Sequence, residues 1–162
     1  MKKYIIPINI VGDIMKISTK GRYGLRAMID IAANSTDGAP VFLSEIAKRQ
    51  GVSEKYLEHI FSILHKAGLV KAIRGRKGGY LLQREPDGIS LYEIISALEG
   101  PCTLVDCVND LKICSKAETC ITRDIWKLLG ERIEGYLKDY NLSALVRMQA
   151  NKVQQDNIMY HI

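Results

Sequence analysis

The chain has 162 residues, enough for one domain of ordinary size or a small domain with a helical extension. Its 47% hydrophobic and 25% charged content excludes a disordered or fibrous chain, and no apolar run approaches the ~18 residues that cross a bilayer. The net charge of +5 is uneven: residues 15–86 carry 13 Lys+Arg against 6 Asp+Glu and residues 87–162 carry 8 against 11, so a polyanion is expected on one side of the molecule only.

Residues 1–14 open with Lys2, Lys3 and a short apolar stretch, faintly like a signal peptide. Pro7 and Asn9 interrupt that stretch and no small-residue cleavage site follows, so it reads as an extension, with Met15 opening the domain proper. Without export the expected compartment is the cytoplasm. There, cysteines serve metals or redox sensing more often than structural disulfides.

Ser18 is a helix N-cap, and Leu25, Met28, Ile29 and Ala32 recur at helical spacing to about Asn34. Asp37-Gly38-Ala39-Pro40 is a turn. Ser44 is read as the cap of a short helix that stops near Gly51. Ser53 caps the next, with the apolar stripe Leu57, Ile60, Phe61 and Leu64, ended by Gly68. Two short helices joined by Gln50-Gly51-Val52-Ser53 make a helix-turn-helix. Leu69–Arg74 and Tyr80–Gln83 then read as two strands around the basic, glycine-rich tip Gly75-Arg76-Lys77-Gly78-Gly79, the wing of a winged helix. Pro86-Asp87-Gly88 turns the chain and Ser90 caps a helix stopped by Gly100-Pro101.

A cysteine-bearing connector follows, and then a longer helix from about Ile121 to Lys138. Its stripe of Ile121, Ile125, Leu128, Leu129, Ile133, Tyr136 and Leu137 is broadened by Trp126. A helix of this kind beyond a small domain needs another apolar face, which a two-fold partner usually supplies. The last dozen residues read as frayed. The fold expected is mainly α: a winged helix-turn-helix with a two-stranded wing and a long C-terminal dimerisation helix. Its segments are 1–14 (extension), 15–86 (DNA-binding domain), 87–146 (linker helix, cysteine loop and dimerisation helix) and 147–162 (tail).

Recognition helices present their N-terminal side chains to base edges in the major groove. Ser53, Lys55, Tyr56, Glu58 and His59 are the contact candidates on the helix after Ser53, while Arg74, Arg76 and Lys77 on the wing suit a minor groove or phosphates. A solvated polar face would account for His59 alone, and His65 reads as a surface residue. The combination of helix-turn-helix, basic wing and charge asymmetry favours double-stranded DNA.

Three stretches carry a resemblance: Met15-Lys16-Ile17-Ser18-Thr19-Lys20-Gly21-Arg22-Tyr23-Gly24, Ser53-Glu54-Lys55-Tyr56-Leu57-Glu58 and Ile73-Arg74-Gly75-Arg76-Lys77-Gly78-Gly79-Tyr80-Leu81. They resemble bacterial winged-helix transcriptional regulators of the IscR/CymR family, over about residues 15–146. The resemblance implies a homodimer on a partly palindromic operator, base contacts from Ser53, Lys55, Tyr56 and Glu58, and minor-groove insertion of Arg74. It implies regulation of transcription, by repression as the first reading, and no enzymatic activity. A thiol oxidoreductase using Cys102 or Cys107 would lack the CxxC spacing and a histidine near the thiols.

All four cysteines, Cys102, Cys107, Cys114 and Cys120, fall within nineteen residues. Six residues separate Cys107 from Cys114 and five separate Cys114 from Cys120, too long for the tight pairs of a zinc knuckle but adequate for a loop folding around a cluster. Cys107, Cys114 and Cys120 match the three cysteines of the cluster-binding members, and Cys102 is a further candidate. The implied cofactor is an iron–sulfur cluster, with 2Fe–2S ahead of 4Fe–4S and zinc behind both. Where IscR-like members place a histidine three positions after the last cysteine, this chain has Arg123, a poor ligand. Cys102, Asp106, Asp110, Glu118 or a small external molecule stay open as the fourth ligand. The ending Asn157-Ile158-Met159-Tyr160-His161-Ile162 resembles that of CymR-like repressors of cysteine metabolism, which implies a cysteine synthase as an alternative partner.

Overall fold

Serine hydroxyls start three of the helices. In the computed structural model, which describes residues 17–35, 38–75 and 78–159, the Ser18 hydroxyl accepts from the Gly21 N–H at 3.1 Å and opens α1 (Thr19–Asn34). Ser53 accepts from the Tyr56 N–H at 3.3 Å and opens α3 (Glu54–Lys66). Ser90 accepts from the Glu93 N–H while the Glu93 carboxylate takes the Ser90 N–H at 2.9 Å, a reciprocal capping box at the start of α4 (Leu91–Glu99).

Between α1 and α3, α2 (Leu43–Gln50) begins one residue before the expected cap, and Ser44 lies inside it. Val41 is held extended by paired hydrogen bonds with Tyr80, so the carbonyl of Phe42 is already placed to accept from Glu45 and Ile46. The tertiary bridge replaces the serine cap. Both α2 and α3 end in a paired backbone closure. Val52 N–H reaches the Ala47 carbonyl and Gly51 that of Lys48. After α3, Leu69 reaches Leu64 and Gly68 reaches His65, with Gly51 and Gly68 at positive φ.

The wing is an antiparallel pair, β1 (Val70–Ile73) and β2 (Gly79–Leu82), in the register Val70↔Leu82 to Ile73↔Gly79. Gly79, at φ +148°, lets β2 lie against Val41: a Cβ there would sit 2.6 Å from the Val41 carbonyl oxygen. Phe61 and Tyr80 close the space between α3 and the wing with ring centroids 4.4 Å apart.

Ala27, Met28 and Ile31 of α1 meet Ile46 of α2, Leu57, Ile60, Phe61 and Leu64 of α3, and Leu69 and Val70 at the wing. The same cluster takes in Ile89, Ile94 and Leu98 around α4, and Leu142. Helix α1 can approach α4 closely because Gly21 and Gly24 face it; a Cβ on Gly24 would run into the Leu98 side chain, and one on Gly21 into the Glu99 carboxylate.

After Gly100-Pro101 the connector carries three short 3-10 turns, Asp106–Val108, Leu111–Ile113 and Ala117–Thr119, and leads into α5 (Ile121–Lys138). The turn after α5 is sewn back to the core. Leu91 N–H bonds the Tyr140 carbonyl and Leu142 N–H the Ile89 carbonyl, both at 2.8 Å. The Asn141 side chain accepts from the Ala144 N–H at 2.8 Å, and α6 (Leu142–Met159) follows. The expected frayed end is therefore helical through Met159. A buried Leu142 and an asparagine cap give that helix a start that the weak apolar periodicity of residues 142–159 did not signal.

Filling the α1–α4 contact should be costly, since Leu98 is itself fully enclosed. Gly24→Val is expected to lower stability by about 1–3 kcal/mol in a urea titration. An unchanged midpoint would contradict the close approach of the two helices.

Candidate nucleic-acid interface and cysteine connector

Helix α3 has two faces fixed by its packing. Leu57, Ile60, Phe61 and Leu64 are fully buried, so the opposite side shows Lys55, Glu58, His59 and Ser62 to solvent. Ser53 is exposed at the cap and Tyr56 is half-buried. Arg74 is exposed where β1 leaves for the wing tip. Arg76 and Lys77, the other two wing candidates, lie outside the described residues. Among the described residues Lys55, Glu58, His59 and Arg74 take part in no side-chain hydrogen bond or ion pair. Their polar groups are therefore available to a ligand.

Behind this surface lies a polar cluster that sequence reading did not find. Asp30 of α1 is 6% exposed and is gripped by Arg49 of α2, whose Nε lies 3.0 Å and Nη2 2.6 Å from the carboxylate oxygens. The Gln50 amide donates to the same carboxylate at 2.8 Å and accepts from Arg26 Nε at 2.9 Å. The shared hydrogen bond with Asp30 holds the Arg49 guanidinium above its already high pKa, against the opposing effect of burial. A buried carboxylate needs such partners, and here they tie α1 to the helix-turn-helix.

The four cysteines occupy different surroundings. Cys114 is exposed, while Cys102, Cys107 and Cys120 are half-buried, and all four are free thiols. Cys120 sits at the N-cap of α5 with Sγ 3.1 Å from the Thr122 hydroxyl. That hydroxyl, and next the backbone N–H of Arg123, hold its thiol below the ordinary range. Burial, and then the charge of Glu134, push the Cys102 thiol up. Cys102 also packs backbone-first on α5: its carbonyl oxygen would lie 2.7 Å from a Cβ on Gly130, the one residue of α5 that is buried.

Arg123 has a role the sequence did not suggest. Its side chain is 17% exposed, with Nε donating to the Cys107 carbonyl at 2.9 Å and Nη2 reaching the Val108 carbonyl at 3.5 Å. The residue at the expected histidine position thus fastens the Cys107 turn to the first turn of α5. Among the described residues no three His, Cys, Asp or Glu side chains converge as a metal site, so the predicted ligands share one connector without being gathered. The donor chemistry nonetheless fits an iron–sulfur cluster. Three thiols lie on one segment, and one is stabilised as thiolate at a helix N-terminus, whose dipole favours an anionic group.

The environments of Cys120 and Cys102 should separate their chemistry. Peptide mapping of iodoacetamide alkylation against pH is expected to place half-maximal labelling of Cys120 at lower pH than that of Cys102. The reverse order would contradict the described surroundings.

Comparisons with known proteins agree with this architecture. Residues 17–148 match the family model Rrf2, described as iron-dependent transcriptional regulator. The HTH-type transcriptional regulator IscR of Klebsiella pneumoniae (strain 342) is 42% identical over 135 residues, which is 83% of this chain and 82% of that protein. The corresponding IscR of Escherichia coli (strain K12 / DH10B) is 41% identical over the same share. Among solved structures, CymR, the global cysteine regulator of B. subtilis, shares 40% identity with a TM-score of 0.67 over 83% of this chain and 98% of its own. The IscR of T. potens shares 38% identity with a TM-score of 0.65, covering 83% of this chain and 88% of its own. A winged helix-turn-helix with an exposed recognition face, matched over most of its length to named regulators, places the chain in the Rrf2 family of DNA-binding transcriptional regulators.

Proposed function

We propose that the protein is a homodimeric cytoplasmic repressor that binds a partly palindromic operator and responds to an iron–sulfur cluster held by Cys107, Cys114 and Cys120. The observation that carries the DNA half is the two-faced α3. Its apolar stripe is fully buried, which leaves Lys55, Glu58 and His59 exposed beside Ser53, with Arg74 exposed on the wing. In this reading Ser53, Lys55, Tyr56, Glu58 and His59 meet base edges, while Arg74, Arg76 and Lys77 take a minor groove and phosphates. The DNA-reading unit is assigned to residues 15–86.

The second copy is supported by α5. Ile121 is 71% exposed, Leu128 60% and Tyr136 62%, and Ile125, Leu129 and Trp126 lie open beside them. So much apolar surface on one helix calls for a cover, and a two-fold partner using the same helix buries both faces at once. Two recognition helices then address two half-sites separated by helical turns.

For the signal, Cys107, Cys114 and Cys120 are the protein ligands, with Cys102, Asp106, Asp110 and Glu118 as candidates for the fourth position. Arg123 is a poor ligand, and its charge and its engagement with the carbonyls of Cys107 and Val108 support leaving it out of the set. When bound, a cluster, 2Fe–2S in the first reading, supplies a redox-active anionic centre. The chain's own part is mechanical. The C-terminal end of α5 is sewn to residues 89–91, and its N-terminal end carries Cys120 and, through Arg123, the Cys107 turn. Drawing the connector together therefore acts on the N-terminal end of α5, while the other end stays with the DNA-binding core. A coupling of about 1–3 kcal/mol between connector state and operator affinity suffices for regulation.

A second reading follows from the likeness to CymR, named as a global cysteine regulator. In it the same fold represses cysteine metabolism without a cluster, controlled by a protein partner such as cysteine synthase that engages residues 157–162.

Arg74→Ala is expected to weaken binding to a selected operator by about 1–3 kcal/mol in a gel-shift titration; unchanged binding would contradict the wing assignment. Protein purified without oxygen is expected to be coloured, with visible absorption lost in Cys107→Ala and with operator affinity different before and after cluster removal. A colourless protein with stoichiometric zinc, or equal affinities, would defeat the cluster switch.

A further inference from the structure

Of the α3 side chains offered as base readers, one differs from the rest. Lys55, Glu58 and His59 are exposed, whereas Tyr56 is half-buried and its ring is held from α1. The ring of Tyr23 meets it edge-on, centroids 6.1 Å apart and planes at 89°. The Arg26 guanidinium lies over Tyr23, 5.4 Å from its centroid. Arg26 is in turn fixed by Nε donating to the Gln50 side chain, which donates to Asp30, the buried carboxylate gripped by Arg49. A continuous line of contacts therefore runs from the interior of the helix-turn-helix to the first turn of α3.

We infer that Tyr23 and Arg26 are positioning residues for sequence recognition, which fix the direction of Tyr56 before DNA arrives. The inference rests on the reading of α3 as the recognition helix and adds which of its side chains is preorganised and by what. A tyrosine has only two soft torsions, so a ring held on one side loses little further freedom on binding. Edge-to-face aromatic contact and a cation over a ring face are both directional, so together they select one ring orientation. The lysine, glutamate and histidine beside it must be ordered by the DNA itself. Tyr56 should accordingly contribute discrimination between base pairs, and its support should matter to selectivity more than to the phosphate-driven part of affinity.

The test uses the full chain, an operator isolated from random duplex DNA, and an unrelated duplex, with affinities read by fluorescence anisotropy over a salt series. Tyr23→Leu and Arg26→Met are each expected to lower the ratio of specific to non-specific affinity about tenfold, with non-specific affinity and salt slope unchanged. Tyr23→Phe, which keeps the ring, should preserve the ratio. In a Tyr56→Ala background, Tyr23→Leu should add little. Four results would overturn the inference. One is a full Tyr23→Leu effect in the Tyr56→Ala background, which would mean a direct contact to DNA. The second is a salt slope reduced by about one in Arg26→Met, the mark of a phosphate contact. The third is an unchanged ratio in Tyr23→Leu and Arg26→Met while Tyr56→Ala loses selectivity. The fourth is selectivity left intact in Tyr56→Ala; only selectivity that also survived Lys55→Ala, Glu58→Ala and His59→Ala would take the recognition-helix reading with it. Arg26 is exposed, so Arg26→Met keeps the question answerable even if Tyr23→Leu fails to fold.

Discussion

The burial of one stripe of α3 constrains everything around it. Leu57, Ile60, Phe61 and Leu64 have no exposed surface, so the rotation of that helix about its own axis is fixed by the core. Each of these side chains is worth roughly 1.5–3 kcal/mol when enclosed, and no surface contact competes with that sum. The polar face is thus aimed outward by packing on the other side. The same core reaches the wing through Phe61 and Tyr80, and α4 through Leu98. The backbone of that face needs no rigidity of its own, because it inherits that of the interior.

The second half of the molecule obeys a different logic. Helix α5 fully buries only Gly130, against the backbone of Cys102; Arg123, Ile133, Glu134 and Leu137 are half-buried and the rest is open. It is held at its C-terminal end by backbone hydrogen bonds to the segment before α4 and at its N-terminal end by Arg123 on the Cys107 turn. One end is therefore part of the folded core and the other belongs to the cysteine connector. A chemical change in that connector has a short mechanical path to the DNA-binding unit.

Much of the DNA-binding module was legible because its signals are local. Ser18, Ser53 and Ser90 cap the helices they were expected to cap, and Gly51 and Gly68 end helices at positive φ. Ser44 misled because a tertiary hydrogen-bonded bridge, Val41 to Tyr80, does the work that a serine cap does elsewhere. Helix α6 was missed because its anchor is one leucine buried by distant residues and its remaining face has little apolar periodicity. The polar cluster around Asp30 joins residues nineteen and twenty positions apart, and no pattern in a single sequence announces such a pair. The cysteines were conspicuous by composition alone. Their spacing said nothing of Arg123, whose partners are main-chain carbonyls, groups that every residue carries.

The central claim is that α3 and the wing together face duplex DNA. Hydrogen–deuterium exchange with and without a selected operator duplex tests it most directly. Slowed exchange is predicted across residues 53–60 and 73–79, with the exposed stripe of α5 unchanged. Slowing confined to α5 or to the cysteine connector, with α3 and the wing unaffected, would contradict it.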